Sequence, residues 1–156
     1  MKKGLMVFVA LLLVVAGQAW AVGTCTVGSP VRGILHGSGT GSIMVAVTCV
    51  ADASAATIPD AAVTSVGGNL LAVFMDWGAT APTSGAYDIY VKADSMASAD
   101  LLGGLGVNLV TTADLWITPK VGEVYVPAPF VGNLTISQAG NAVNSATPTI
   151  YLVFAP

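Results

Sequence analysis

The chain has 156 residues, 54% of them hydrophobic and only 8% charged, a balance opposite to that of disordered segments and long enough to close a single core. Five basic residues against eight acidic ones, scattered along the sequence, leave no electrostatic footprint for a nucleic-acid backbone. One histidine and two cysteines are little material for acid–base chemistry or a zinc site, so no catalytic residue, metal or cofactor is expected and the protein reads as a non-enzyme.

At the N-terminus, Lys2 and Lys3 precede an uninterrupted apolar stretch from Leu5 to Ala16, and Ala19-Trp20-Ala21 supplies a small-x-small cleavage site. That is the pattern of a bacterial secretory signal peptide over residues 1–21. The apolar stretch is shorter than the roughly 20 residues that span a bilayer, so a membrane anchor is the weaker reading. Residues 22–156 then form one exported domain with three basic and eight acidic side chains and no stable membrane span. It is expected to be secreted or periplasmic, with the cell surface or a virion as further destinations.

Export sets the redox context. Cys25 and Cys49 are the only cysteines, and one disulfide between them, tying the N-terminal strand to the Ile43–Val50 strand, is the economical reading. The alternatives are two unpaired buried thiols and a lipid-anchored Cys25, the latter opposed by Val22-Gly23-Thr24, which lacks a lipobox pattern.

No segment keeps apolar residues at helical spacing for three turns, while short β-branched runs recur between Gly, Pro, Asn and Asp. Val31–Leu35 reads as an N-terminal strand followed by a glycine-rich turn, and Ser42–Val50 as a strand rich in Ile, Val and Thr. The stretch from Ala51 to Ala62 has room for a helical turn, limited by Pro59. Asn69–Met75 is nearly all apolar, which suits a strand covered on both faces or packed at a subunit contact. Ala86–Lys92 alternates, with Tyr87, Ile89 and Val91 on one face and Asp88, Tyr90 and Lys92 on the other. Leu115–Thr118, Glu123–Val126, Asn133–Ser137 and Thr149–Phe154 follow, with Pro119, Pro127, Pro129 and Pro148 at their borders. The expectation is an all-β chain of about eight or nine strands, an antiparallel β-sandwich of jelly-roll-like or Ig-like kind.

The residues that bear chemistry are few. His36 lies in the glycine-rich turn with no neighbouring nucleophile motif, and Gly37, Gly39 and Gly41 lack the lysine and the strand-to-helix context of a phosphate loop. Asp94 and Asp100 bracket a small-residue stretch without the ligand alternation of a calcium loop, which reads as a solvated turn. Asn133-Leu134-Thr135 matches a glycosylation sequon and reads as a coincidence within a strand. The aromatics Trp77, Trp116 and Tyr125 are the candidate ligand or interface contacts, against the plainer reading that they pack in the core or against loops.

Asp76-Trp77-Gly78-Ala79-Thr80-Ala81-Pro82-Thr83, Tyr87-Asp88-Ile89-Tyr90-Val91, Asp100-Leu101-Leu102-Gly103-Gly104-Leu105-Gly106-Val107-Asn108 and Thr149-Ile150-Tyr151-Leu152 follow one another along the chain. Over residues 70–155 this resembles a family of small β-rich proteins encoded among bacteriophage and prophage structural genes. The shared motifs mark turns rather than chemistry, and the resemblance implies an assembly component. The chain departs from the family in its export signal and in the Cys25/Cys49 pair.

The resulting expectation is an exported structural or surface-interaction protein that associates with itself or with a larger protein assembly. A pilin-like fibre subunit and a secreted glycan-binding module are the alternatives. Exposed coplanar aromatics would favour glycan binding, and an unpaired sheet edge would favour assembly.

Overall fold

Alternating burial along the strands divides the chain into an inner and an outer set of side chains, as a computed structural model of the protein makes explicit for residues 22–33, 41–64, 66–96 and 99–155. The signal-peptide segment, His36 with most of its glycine turn, and Ala97-Ser98 lie outside those residues. The described strands are β1 (Thr24–Val27), β2 (Val31–Gly33), β3 (Ser42–Val50), β4 (Ala61–Val63), β5 (Gly68–Asp76) and β6 (Asp88–Ala93). After a 3-10 turn at Asp94–Met96 come β7 (Leu115–Ile117), β8 (Lys120–Val121), β9 (Val124–Tyr125), β10 (Ala128–Phe130), β11 (Leu134–Ala139) and β12 (Thr149–Ala155).

All strand pairs are antiparallel. The larger sheet runs β1-β3-β12-β5-β10, with β2 beside β1 on the β3 edge and β7 beside β10 on the β5 edge. A smaller sheet, β4-β11-β6, lies across the core, and β8-β9 is a separate hairpin. The protein is therefore the antiparallel all-β sandwich that the sequence predicts. The described residues form twelve strands rather than eight or nine. The added ones are short: Thr24–Val27, Ala61–Val63 and Ala128–Phe130 carry too few residues, or too much alanine and proline, to stand out as strands. The single strand expected at Glu123–Val126 is the second arm of the hairpin that turns at Gly122 and Glu123. Between Ala51 and Ala62 the chain makes a turn and no helix.

Period-two alternation builds the core. Val45, Val47 and Cys49 of β3 and Ile150, Leu152 and Phe154 of β12 point inward from the large sheet, against Ile89 and Val91 of β6 and Leu134 and Ile136 of β11. Strand β5 alone breaks the alternation, since Leu70 and Val73 are both fully buried. The register supplies the reason: Val153 lies opposite Ala72 and Phe154 opposite Leu70, so Leu71 is an extra residue and the strand carries a bulge.

The sheet edges are closed by local devices. On β6, the segment 99–109 lies along the strand, with Leu101 N–H donating to Val91 O and Ile89 N–H to Gly106 O. That approach is close enough to require glycine at 106, where a Cβ would run into the Ile89 carbonyl. Both edges of the large sheet are interrupted rather than continuous. Pro30 precedes β2, while Pro127 precedes β10 and Pro129 sits inside it, so a further strand has no long ladder to extend.

Candidate functional site

The outer face of the large sheet carries a row of apolar side chains across four strands. The register aligns Ala46 of β3 with Tyr151 of β12, Tyr151 with Phe74 of β5, and Phe74 with Trp116 of β7. Directly opposed residues of an antiparallel pair project to the same side, so the rings meet. Phe74 and Trp116 have centroids 4.8 Å apart, and Phe74 and Tyr151 5.8 Å apart, with interplanar angles of 39° and 38°. On one side of this row lie Val31, Met44, Val153 and Ala72, and on the other Thr26, Thr48, Thr149 and Asp76. Asp76 is the one charged side chain at these paired positions, and its carboxylate accepts the Gly78 N–H at 2.9 Å. Trp116 is 62% exposed, Val31 58% and Met44 38%, a contiguous apolar patch of the kind that marks an interaction surface.

The three aromatics singled out in the sequence have different placements. Trp77 is buried in the core, edge-on to Tyr87 at 5.8 Å, with its indole N–H donating to Ala113 O at 2.6 Å. It packs the fold and does not present a contact surface. Trp116 and Tyr125 are both exposed but lie on separate sheets, Tyr125 on the β8-β9 hairpin. Phe74 and Tyr151, which complete the row with Trp116, were not among the sequence candidates. The strict alternation of Thr149–Phe154, which sets Tyr151 apart from Ile150 and Leu152, was the available signal.

Cys25 and Cys49 are bonded, as direct register partners on β1 and β3. Gln138 of β11 crosses to this bond from the small sheet: its Nε2 donates toward Cys49 Sγ at 3.2 Å and its Oε1 accepts the Tyr87 hydroxyl. Burial pushes the Tyr87 phenol well above its ordinary pKa, so the hydroxyl is a donor at all working pH values.

The carboxylates serve as turn anchors. Asp100 Oδ1 accepts the N–H groups of Val91 and Leu102, and its Oδ2 that of Gly104. Asp88 Oδ1 accepts the Asn108 N–H, and Asp94 Oδ1 the Thr135 hydroxyl. Asp52 Oδ1 accepts the Ala55 N–H at 2.6 Å together with the hydroxyl and N–H of Ser54, which hold its pKa below the usual carboxylate value. Among the described residues, no three His, Cys, Asp or Glu side chains gather as a metal site.

Two shallow cavities are among those lined by the described residues. One, of about 130 Å³, is lined by Ile58, Gln138 and Asn141 among others, and one of about 240 Å³ lies between the Gly28–Pro30 link and Val63. Neither is lined by an acid, a base or a nucleophilic cysteine. Among the described residues, no helix is long and apolar enough to cross a membrane. Comparison with known proteins finds no matching family model, no matching curated protein and no matching solved structure.

Proposed function

We propose that this is a non-enzymatic, exported structural or surface-interaction protein that works by protein–protein contact through the outer face of its large sheet. The observation that carries the reading is the Trp116–Phe74–Tyr151 row, flanked at its paired positions by Asp76 as the one charged side chain, on a sheet face that stays partly exposed. A disulfide-bonded cysteine pair fits an oxidising compartment, which supports export by the N-terminal signal. The resemblance of residues 70–155 to proteins of phage structural genes supports an assembly role by analogy of fold and gene context.

Glycan binding draws less support. Rings that stack on a sugar form an open platform, whereas these are tilted against one another and Phe74 and Tyr151 are half-buried. A fibre subunit that exchanges strands needs a continuous open edge, and the edges of the large sheet are broken into short pieces marked by proline. The sheet face is left as the surface that fits a protein partner. Binding of the exported protein to the cells that produce it, or to virions, combined with its mass in solution, tests the reading. Association with itself or with one of these assemblies is expected. A strictly monomeric species from micromolar to millimolar concentration that binds neither would overturn it.

A further inference from the structure

We infer that the occupant of the outer sheet face is a second copy of this chain, packed face to face in an isologous contact centred on Phe74 and Tyr151. The inference rests on the contact reading above and names its partner.

Size is the first argument. The face is five strands wide, and its three central strands have seven to nine residues. At about 4.8 Å between strands and about 3.3 Å per residue it measures roughly 24 by 25 Å, or about 600 Å² in projection. A stable interface buries about 800 Å² per partner, and a biological one clears about 500 Å². Two such faces meeting over their whole extent therefore reach the range of a specific dimer.

Charge is the second argument. Residues 22–156 hold eight acidic side chains against three basic ones, so two copies repel over most orientations. The paired positions of the outer face are sparser in charge, with Asp76 the one charged side chain, next to Thr149 and Thr48, and Phe74, Trp116, Tyr151, Val31, Met44 and Val153 on the rest. A self-complementary contact requires that no like charges be brought together across the axis, and this face meets that condition. Sheets packed face to face in proteins interdigitate at about 10 Å separation, and the small residues Ala46, beside Tyr151 in the row, and Ala72, beside Val153 next to it, leave room for large side chains of the opposing copy.

Sedimentation equilibrium of the exported protein and three variants tests the inference. Trp116→Glu places a charge on the exposed end of the row, Met44→Lys does the same on β3 with the opposite sign, and Val124→Glu changes an exposed residue on the hairpin away from the face. The unaltered protein is expected to dimerise. Trp116→Glu and Met44→Lys should each weaken the dimer roughly tenfold or more, and Val124→Glu should leave it unchanged, with circular dichroism confirming that all three variants fold. A dimer insensitive to both face variants would overturn the inference. A monomer that still binds cells or virions in a Trp116-dependent way would overturn the second-copy occupant while leaving the contact reading standing. A monomer that binds nothing would overturn both.

Discussion

Tyr87, the residue before β6, and the side chain of Gln138 on β11 are joined by a hydrogen bond from the phenol to Oε1, and the same amide turns its Nε2 toward the Cys25–Cys49 bond. One half-buried glutamine thus links the small sheet to the disulfide of the large one. Replacing Tyr87 by Phe removes the donor but keeps the ring against Trp77, leaving the Gln138 oxygen without its partner at a cost of about 1–2 kcal/mol. Urea unfolding of Tyr87→Phe beside the unaltered protein measures this, and equal midpoints would show that the bond contributes nothing.

The disulfide closes a loop with a sequence separation of 24 and fastens the edge strand β1 to β3. Loss of that constraint on the unfolded chain is expected to cost on the order of 3 kcal/mol in a Cys25→Ala/Cys49→Ala variant. Chemical denaturation with and without reductant gives the value. Free alkylation of both thiols in the native exported protein would contradict the bond itself.

Gly106 and Gly67 form a matched pair of tests. A Cβ at 106 collides with the Ile89 backbone carbonyl, where the 99–109 segment seals the β6 edge, while a Cβ at 67 meets nothing within 4 Å. Gly106→Ala should destabilise by about 1–3 kcal/mol and raise hydrogen exchange at Ile89, whereas Gly67→Ala should be within about 0.5 kcal/mol of neutral. Equal effects at the two sites would contradict the close approach of the segment.

Asp52 links stability to acid pH. Its folded-state pKa lies below the ordinary value of 3.8 because the Ala55 N–H and the Ser54 hydroxyl and N–H stabilise the carboxylate. A depressed folded pKa contributes stability that is present above the unfolded value and lost as pH falls through the lowered folded value. Asp52→Asn should therefore lose stability at neutral pH and show a smaller further loss below about pH 4. Carbon-13 titration of the Asp52 carboxyl locates the folded pKa directly, and a value at or above 3.8 would remove this contribution.

How much of this was legible in the sequence follows from which interactions are local. The alternation of Ile89 with Val91, and of Ile150 with Leu152 and Phe154, is a property of single strands and points to the core without further information. Strands β1, β4 and β10 owe their form to neighbours distant in the chain, so their own residues signal little. The contact face has the same origin. Phe74, Trp116 and Tyr151 belong to three strands and become neighbours only through register, and the Leu71 bulge shifts the phase of β5 between Leu70 and Phe74. Trp77 stood out for its residue type and its place beside a loop, yet the Ala113 carbonyl satisfies its N–H and draws it inward.

The central claim, that the outer face of the large sheet is the contact surface, is tested most directly by hydroxyl-radical footprinting of the exported protein, dilute and then associated with itself or its assembly. Trp116 and Met44 on the face are 62% and 38% exposed, while Tyr125 on the hairpin and Met96 after β6 are 66% and 44% exposed and serve as controls. Association is predicted to protect Trp116 and Met44 and to leave Tyr125 and Met96 as reactive as before. Protection at Tyr125 or Met96 with Trp116 still fully oxidised would contradict the claim.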